Sequence, residues 1–294
     1  MASMLNLHSF TSSPGLAQEP VSWSPTDLSP FALARIVEGE IIPRLLMAHR
    51  APEQHDARIE PQGAVITALE AERFAGASLR NEAYALLVEV DLLLARGVSI
   101  ETVFLDLLAP AAHQLGIWWE QDVCDFVDVT MGLWRLQEIV HELAARAPGA
   151  AERRGGERRA LFAPLPGEQH GFGTLMVEEF FRRAGWTTAS EINPTEDDLV
   201  SMVRKGWFEL VGLTVSCEDH ISRVPTIIGA LRRASRNPRI GVMVGGRVFA
   251  EHPELAKSCG ADATAVDARR AVLVAETLLD VLALRADTPI AGHG

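Results

Sequence analysis

Two hydrophobic rhythms divide this chain. Up to about residue 148, apolar residues recur every three to four positions, which is the spacing of one face of an α-helix. The pattern predicts helices over residues 31–49, 65–74, 78–95, 99–119 and 125–147. Pro110 is expected to bend or split the fourth of these helices, because proline has no N–H to give to the preceding turn. The last four helices have short joints, so we expect them to form an antiparallel bundle.

Beyond an Arg- and Gly-rich stretch, short apolar runs alternate with amphipathic segments. The predicted strands are residues 160–164, 187–191, 210–216, 240–244 and 263–266, and the predicted helices are residues 174–184, 194–205, 221–235, 248–258 and 268–284. Alternation at this spacing is typical of a doubly wound parallel sheet. The predicted fold class is therefore all-α plus α/β: an N-terminal helical bundle followed by a Rossmann/flavodoxin-like domain with five parallel strands.

These patterns also set the expected domain boundaries. A Ser- and Pro-rich start predicts a flexible tail at residues 1–29, followed by the bundle at 30–148. Residues 149–158 form the linker, residues 159–286 the sheet domain, and residues 287–294 a second flexible tail.

Composition argues against several classes of protein. The 294 residues carry a formal net charge of −12, which duplex DNA repels, so direct DNA binding is not expected without a partner. No apolar run approaches the roughly 20 residues that span a bilayer, so no membrane role is expected. The three cysteines, Cys124, Cys217 and Cys259, are far apart, which favours a reduced cytoplasmic protein without a zinc site.

Three loops carry the candidate chemistry, and each follows the carboxyl end of a predicted strand. Open α/β sheets bind their ligands at that edge. The first loop contains Glu168 and His170, and a carboxylate two residues before a histidine can hold one ring nitrogen while the other faces a metal. The remaining candidates are small residues: Gly171 and Gly173 in the first loop, Thr214 and Ser216 in the second, and Gly245 and Gly246 in the third.

The order and spacing of these loops resemble the cobalamin-binding domain of methionine synthase, corrinoid methyltransferases and cobalamin photoreceptors. That domain carries Asp-x-His-x-x-Gly, then Ser-x-Leu, then Gly-Gly, and the resemblance covers about residues 159–284. It implies that His170 ligates cobalt from below in place of the cofactor's dimethylbenzimidazole, with Glu168 as its hydrogen-bond partner. Glu168 is one methylene longer than the usual Asp, so we expect a looser hydrogen bond to His170.

The same resemblance gives the small residues a role around the cofactor's nucleotide tail. Thr214 and Ser216 would form hydrogen bonds to the tail, although this chain has Thr-Val-Ser where the family has Ser-x-Leu. Gly173 would let the following helix begin close to the tail, and Gly245 and Gly246 would let the tail pass close to the backbone.

The bundle carries a second resemblance, to cobalamin photoreceptors. The sequence from Leu115 to Trp119 resembles their Leu-Gly-x-x-Trp, in which the tryptophan covers the upper cobalt ligand. Ten residues later those proteins have Glu-His, and this chain has Val129 and Thr130. Trp119 and Val129 are therefore expected at the upper face without a histidine ligand at 130. His113, His141 or water would occupy the upper position.

Residues 118–130 resemble the AerR/PpaA antirepressors of purple photosynthetic bacteria. This resemblance extends from about residue 31 to the end of the chain. The resemblance implies a light-responsive regulator that binds hydroxo-, aquo- or adenosylcobalamin and contacts a CrtJ/PpsR-type repressor of photosynthesis genes. No nucleophile or base beyond His170 stands out, so an enzyme is not expected. Two alternatives stay open: a corrinoid methyl shuttle serving partner methyltransferases, and a haem-binding sensor on the same scaffold.

Overall fold

The computed structural model describes residues 65–146 and 158–287, with the side chains of residues 285–287 excepted. The helix predicted at 31–49, the first tail, nearly all of the linker and the second tail apart from Asp287 lie outside the described residues. The domain boundaries above therefore stay predictions. No helix within the described part is both long enough and apolar enough to cross a bilayer.

Four helices precede the sheet. They are α1 (Ala68–Arg80), α2 (Ala83–Ala95), α3 (Ile100–Thr102, Val103–Leu108 and Ala109–Glu120 in succession) and α4 (Phe126–Arg146). Thr67 caps α1 through a reciprocal pair of hydrogen bonds with Glu70. The prediction of a new helix from residue 78 was wrong: Ser78 lies inside α1, where its hydroxyl donates to the carbonyl of Ala75. The helix break falls at Asn81, whose backbone is extended.

The middle of α3 is a π-helix over Val103–Leu108, in which the N–H of Ala109 bonds to the carbonyl of Phe104. Pro110 explains the wider turn, because its ring crowds the carbonyl four residues back and it contributes no N–H of its own. The irregularity predicted at Pro110 is therefore present, and it takes the form of a π-helical segment rather than a break.

The second half is a parallel sheet of five strands in the order β2-β1-β3-β4-β5. The strands are β1 (Arg159–Pro164), β2 (Thr187–Ser190), β3 (Leu210–Thr214), β4 (Gly241–Gly245) and β5 (Ala263–Thr264). The connecting helices are α5 (Phe172–Arg183), α6 (Glu196–Lys205), α7 (Val224–Ala234), α8 (Arg247–Glu251), α9 (Leu255–Ser258) and α10 (Ala268–Asp287). A 3₁₀-helix, Glu218–Arg223, leads into α7.

This topology confirms the predicted fold class. The chain order reverses between the central strands β1 and β3, and such a reversal creates the crevice where doubly wound sheets bind ligands. One helix prediction needs correction: residues 248–258 form the two short helices α8 and α9. Pro253 lies between them and cannot continue the first helix.

Alternate residues of β1 face opposite sides of the sheet. Leu161 and Ala163 belong to one buried cluster, formed with α6, α7 and the neighbouring strands. Ala160 and Phe162 belong to the other, which also contains α5, α10 and the buried residues of all four upstream helices. The upstream helices and one face of the sheet therefore share a single hydrophobic core.

An aromatic and ionic contact joins α3 to α5 within this core. The rings of Phe104 and Phe180 lie 6.2 Å apart between centroids. Arg183 lies over the Phe104 ring and also pairs with Glu101 at 2.9 Å. Glu179, which is buried, accepts a hydrogen bond from Arg183 at 2.7 Å. Arg183 therefore links the carboxyl-terminal turns of α5 to α3, in addition to its pair with Glu179 within α5.

Candidate functional site

The three predicted loops meet at the carboxyl edge of β1, β3 and β4. Glu168, after β1, accepts hydrogen bonds through Oε2 from the backbone N–H groups of Ser216 at 2.9 Å and Cys217 at 3.1 Å, both after β3. The N–H of Val215 donates to the carbonyl of Gly245 at 2.9 Å, which ties the third loop to the second. The structure therefore assembles at the topological reversal the loops that the sequence singled out separately.

His170 and Glu168 form the chemical centre of this edge. The Glu168 side chain is 1% exposed and its Oε1 is hydrogen-bonded to Nδ1 of His170, whose own side chain is 59% exposed. The same oxygen accepts the backbone N–H groups of Gln169 and His170 at 3.1 and 3.3 Å. Since the carboxylate accepts the proton on Nδ1, the other ring nitrogen, Nε2, is free to act as a metal ligand.

Glu168 is a permanent anion at neutral pH. Burial by itself raises the pKa of this carboxyl, but the hydrogen bond from His170 and those from the backbone of Ser216 and Cys217 outweigh burial and lower the pKa from 4.5 to about 2. The expected loosening of the Glu168–His170 hydrogen bond was wrong. The one carboxylate binds His170 and also accepts hydrogen bonds from the loop after β3.

A pair of buried hydroxyls lies beside this centre. Oγ1 of Thr174, in the first turn of α5, is 2.6 Å from Oγ1 of Thr214, at the end of β3. Thr174 was missed by the sequence reasoning, although its place directly after Gly173 was a usable signal. Ser216 contributes backbone groups here: its N–H serves Glu168, and its carbonyl accepts a guanidinium N–H of Arg247 at 3.1 Å.

The four glycines have different surroundings. A Cβ built at Gly173 or Gly245 meets no heavy atom within 4 Å, so both face open space, and at Gly171 it would only touch Ile192 at 3.6 Å. Gly246 has φ +94° and a Cβ there would overlap the backbone of Val215. The structure thus shows a backbone requirement for glycine at 246 that the resemblance did not anticipate.

The residues predicted to lie at the upper face of the corrin ring differ in their exposure to solvent. Trp119 is 47% exposed, whereas Val129 is 9% exposed and packs in the core of the helices. Thr130 donates its hydroxyl to the carbonyl of Phe126 at 2.7 Å, and His113 and His141 are both exposed. Large exposed apolar side chains that the sequence reasoning missed also occur at the α3–α4 corner: Val123, Phe126 and Val127.

A second histidine faces Glu168. Nδ1 of His220, in the 3₁₀-helix, lies 3.5 Å from Glu168 Oε2. In the same segment Arg223 donates to the carbonyl of Pro166 at 2.8 Å, so the 3₁₀-helix also contacts the loop after β1. The sequence reasoning did not select His220, whose only signal was its place shortly after Ser216.

Comparison with known proteins finds a matching domain family and a related sequence. Residues 158–274 match the family described as the B12 binding domain. An uncharacterized 20.5 kDa protein in the bchF-crtJ intergenic region of Rhodobacter capsulatus is 30% identical over 169 residues, which are 56% of this chain and 85% of that protein.

Among solved structures, the monomethylamine corrinoid protein of Methanosarcina barkeri superimposes with a TM-score of 0.59 at 16% identity, covering 72% of this chain and 97% of that one. A cobalamin-binding protein of Desulfitobacterium hafniense DCB-2 gives a TM-score of 0.40 at 16% identity, covering 71% and 98%.

Proposed function

This chain carries a B12 binding domain and belongs to the family of the Rhodobacter capsulatus protein of the bchF-crtJ intergenic region, and on that premise we propose that it is a cobalamin-dependent, light-responsive regulator of transcription. The domain match confirms the predicted cofactor, cobalamin. The proposed role is that of an AerR/PpaA-type antirepressor, which binds a CrtJ/PpsR-type repressor in the cytoplasm and relieves repression without catalysing a reaction.

The observation that carries cobalamin binding is the pair formed by His170 and Glu168. A half-exposed imidazole held through Nδ1 by a buried carboxylate presents Nε2 to solvent, and a neutral imidazole is a suitable ligand for cobalt. The open space at Gly173 and Gly245 and the hydroxyls of Thr174 and Thr214 fit a second, tail-like part of the ligand. The donor set therefore fits a corrinoid whose own lower base has been displaced.

Light sensing requires a bond that light can change, and bound cobalamin supplies it at the upper cobalt position. The chain's own contribution is the exposed apolar corner between α3 and α4, including Trp119, which would contact the upper side of the ring. A change at that position alters the contacts of the corner and shifts the population between two conformations. The acidic charge of −12 favours a basic partner surface, such as one that otherwise binds DNA.

A methyl shuttle is the second candidate function. Its support is the fold shared with the monomethylamine corrinoid protein of Methanosarcina barkeri. The two functions differ in what the upper ligand does: a regulator exchanges it in response to light, and a shuttle passes it to an acceptor.

The first experiment tests the cofactor and its ligand. The protein is mixed with hydroxocobalamin or adenosylcobalamin, passed over a desalting column, and its absorption is recorded before and after illumination. We expect retained corrinoid and a light-dependent spectrum, both impaired in His170→Ala. The matched control is His252→Ala, because the His252 side chain is half exposed and pairs with the nearby Glu254. Corrinoid retention by His170→Ala at the wild-type level would refute the ligand assignment.

The second experiment separates the two functions. A gel-shift assay measures how much of a CrtJ/PpsR-type repressor stays on operator DNA when the loaded protein is added in the dark or in light. The antirepressor proposal expects light-dependent release of the DNA, absent with His170→Ala. Release that ignores light and corrinoid, together with methyl transfer from methylcobalamin to a thiol acceptor by a partner enzyme, would favour the shuttle. A Soret band that persists without corrinoid would favour haem.

A further inference from the structure

His220 lies beside Glu168, the carboxylate that binds His170. Its side chain is 22% exposed, but Nδ1 is inaccessible to solvent and has no hydrogen-bond partner among the described residues. The charged oxygen that this nitrogen faces is Oε2 of Glu168, at 3.5 Å. Because this buried nitrogen faces a buried anion, the electrostatic contact determines whether the nitrogen carries a proton.

The tautomer of His220 follows from this contact. A bare lone pair on Nδ1 would face the negative charge of Glu168 and be repelled, so the neutral ring carries its proton on Nδ1. Glu168 then lies between two imidazole N–H groups: that of His170 on Oε1, within hydrogen-bond distance, and that of His220 on Oε2, at a longer distance.

Glu168 does not need His220 to keep its orientation. Oε2 already accepts the N–H groups of Ser216 and Cys217, and Arg223 fixes the same loop through the carbonyl of Pro166. What His220 adds is a further positive dipole beside the carboxylate. Any such donor stabilises the ionised form and makes the carboxylate a weaker base toward its other partners.

We propose that His220 is a positioning residue that acts through Glu168 to weaken the pull of the carboxylate on the Nδ1 proton of His170, and that it thereby limits the strength of the bond from His170 to cobalt. A carboxylate that draws this proton more strongly makes the opposite ring nitrogen a better donor to the metal. The inference rests on the proposed function, since it requires cobalt at His170.

The test compares variants that keep or remove a donor at the position of Nδ1. His220→Asn places its amide nitrogen near that position, whereas His220→Leu has no donor and His220→Gln places its amide one bond farther out. The full-length protein is loaded with cobalamin, and two quantities are measured: the equilibrium between histidine-bound and histidine-free cob(II)alamin by visible absorption, and the Co(II)/Co(I) midpoint potential by titration. His252→Leu is the control.

We expect His220→Leu to shift the equilibrium toward the histidine-bound form by roughly threefold to tenfold, the range of one weak polar contact. Its midpoint potential becomes more negative, because a stronger axial donor stabilises the oxidised metal. His220→Gln behaves in the same way, and His220→Asn and His252→Leu stay close to wild type. If His220→Leu does not fold, the contrast between His220→Gln and His220→Asn decides.

Unchanged values in both His220→Leu and His220→Gln would overturn the inference. A shift toward the histidine-free form would also overturn it, since that result means His220 orients Glu168 instead of attenuating it. Failure of the proposed function is distinguishable: there the wild-type protein retains no corrinoid, or His170→Ala retains it fully, before any His220 variant is compared.

Discussion

Replacing Glu168 by glutamine tests the central contact of the site in the corrinoid-free protein. The substitution keeps the shape of the side chain and removes its charge. The two carboxylate oxygens of Glu168 accept hydrogen bonds from N–H groups of His170, Ser216 and Cys217. In glutamine one of these oxygens is replaced by an NH₂ group, which cannot accept a hydrogen bond from an N–H. At least one of these buried N–H groups therefore loses its acceptor.

The size of the effect follows from the pKa of Glu168. A carboxyl whose pKa falls from 4.5 to about 2 on folding stabilises the native state by roughly 3 kcal/mol at neutral pH. The loop lies at the rim of the sheet, where solvent screening reduces such contributions, so we expect glutamine to lower the free energy of unfolding by about 2 kcal/mol.

The sign of the pH dependence is also fixed. Because the folded-state pKa is the lower one, the contribution is fully present above the unfolded value of 4.5 and is lost as the pH falls toward 2. The difference in stability between wild type and Glu168→Gln should therefore be constant from pH 6 to 8 and should shrink to less than half near pH 3.

Urea unfolding followed by circular dichroism measures this difference. With an m-value of about 3 kcal/mol/M, the midpoint should move by roughly 0.7 M at pH 7. Glu72→Gln, an exposed change of the same kind in α1, should leave the midpoint in place. A Glu168→Gln midpoint equal to wild type, or a difference that persists undiminished at pH 3, would refute the reasoning.

Three further outcomes can be checked by urea unfolding and cobalamin titration. Gly246→Ala should lower the free energy of unfolding by about 2 kcal/mol or more, because Gly246 has a positive φ and a Cβ there would overlap the backbone of Val215. Gly245→Ala, at a position that faces open space, should keep the stability of the protein and weaken its corrinoid retention. Equal stabilities of the two variants would contradict this expectation. Thr174→Val and Thr214→Val should each lower the free energy of unfolding by roughly 1–2 kcal/mol, because each leaves one buried hydroxyl without its partner. The double variant should lose no more stability than the less stable single variant. Additive losses would show that the two hydroxyls act independently. Glu179→Gln should cost about 2 kcal/mol, because it removes the buried negative charge that accepts hydrogen bonds from Arg182 and Arg183, and a loss under 1 kcal/mol would contradict the assigned ion pairs.

The periodicity of the sequence was enough to predict the sheet, because each strand is a short apolar run between punctuating loops. It was not enough at the α1–α2 boundary, where Ser78 continues the apolar face of α1 as a small residue whose hydroxyl bonds within its own helix. The division between α8 and α9 carried a local signal, Pro253, that the apolar pattern concealed.

Side-chain partners at the site were less predictable than positions. Glu168 and His170 are two residues apart, so their contact is encoded locally. His220 reaches Glu168 only because β3 lies beside β1, and no spacing in the sequence encodes that distance. For the same reason Val129 and Trp119 could not be separated into a core and an exposed residue until α4 was seen against its neighbours.

The first turn of α4 is held less tightly than the rest of the helix. Its carboxyl-terminal half contributes Ile139, Val140 and Leu143 to the shared core, and the carbonyl of Ala144 accepts a guanidinium N–H from α5. Its first turn presents Phe126 to solvent. Between these ends, Val129, Gly132, Arg135 and Leu136 are also buried, so a tilt of the whole helix would uncover core side chains. Movement at low cost in buried area is therefore confined to the first turn of α4, since a rigid departure of all four helices would expose the apolar face of the sheet.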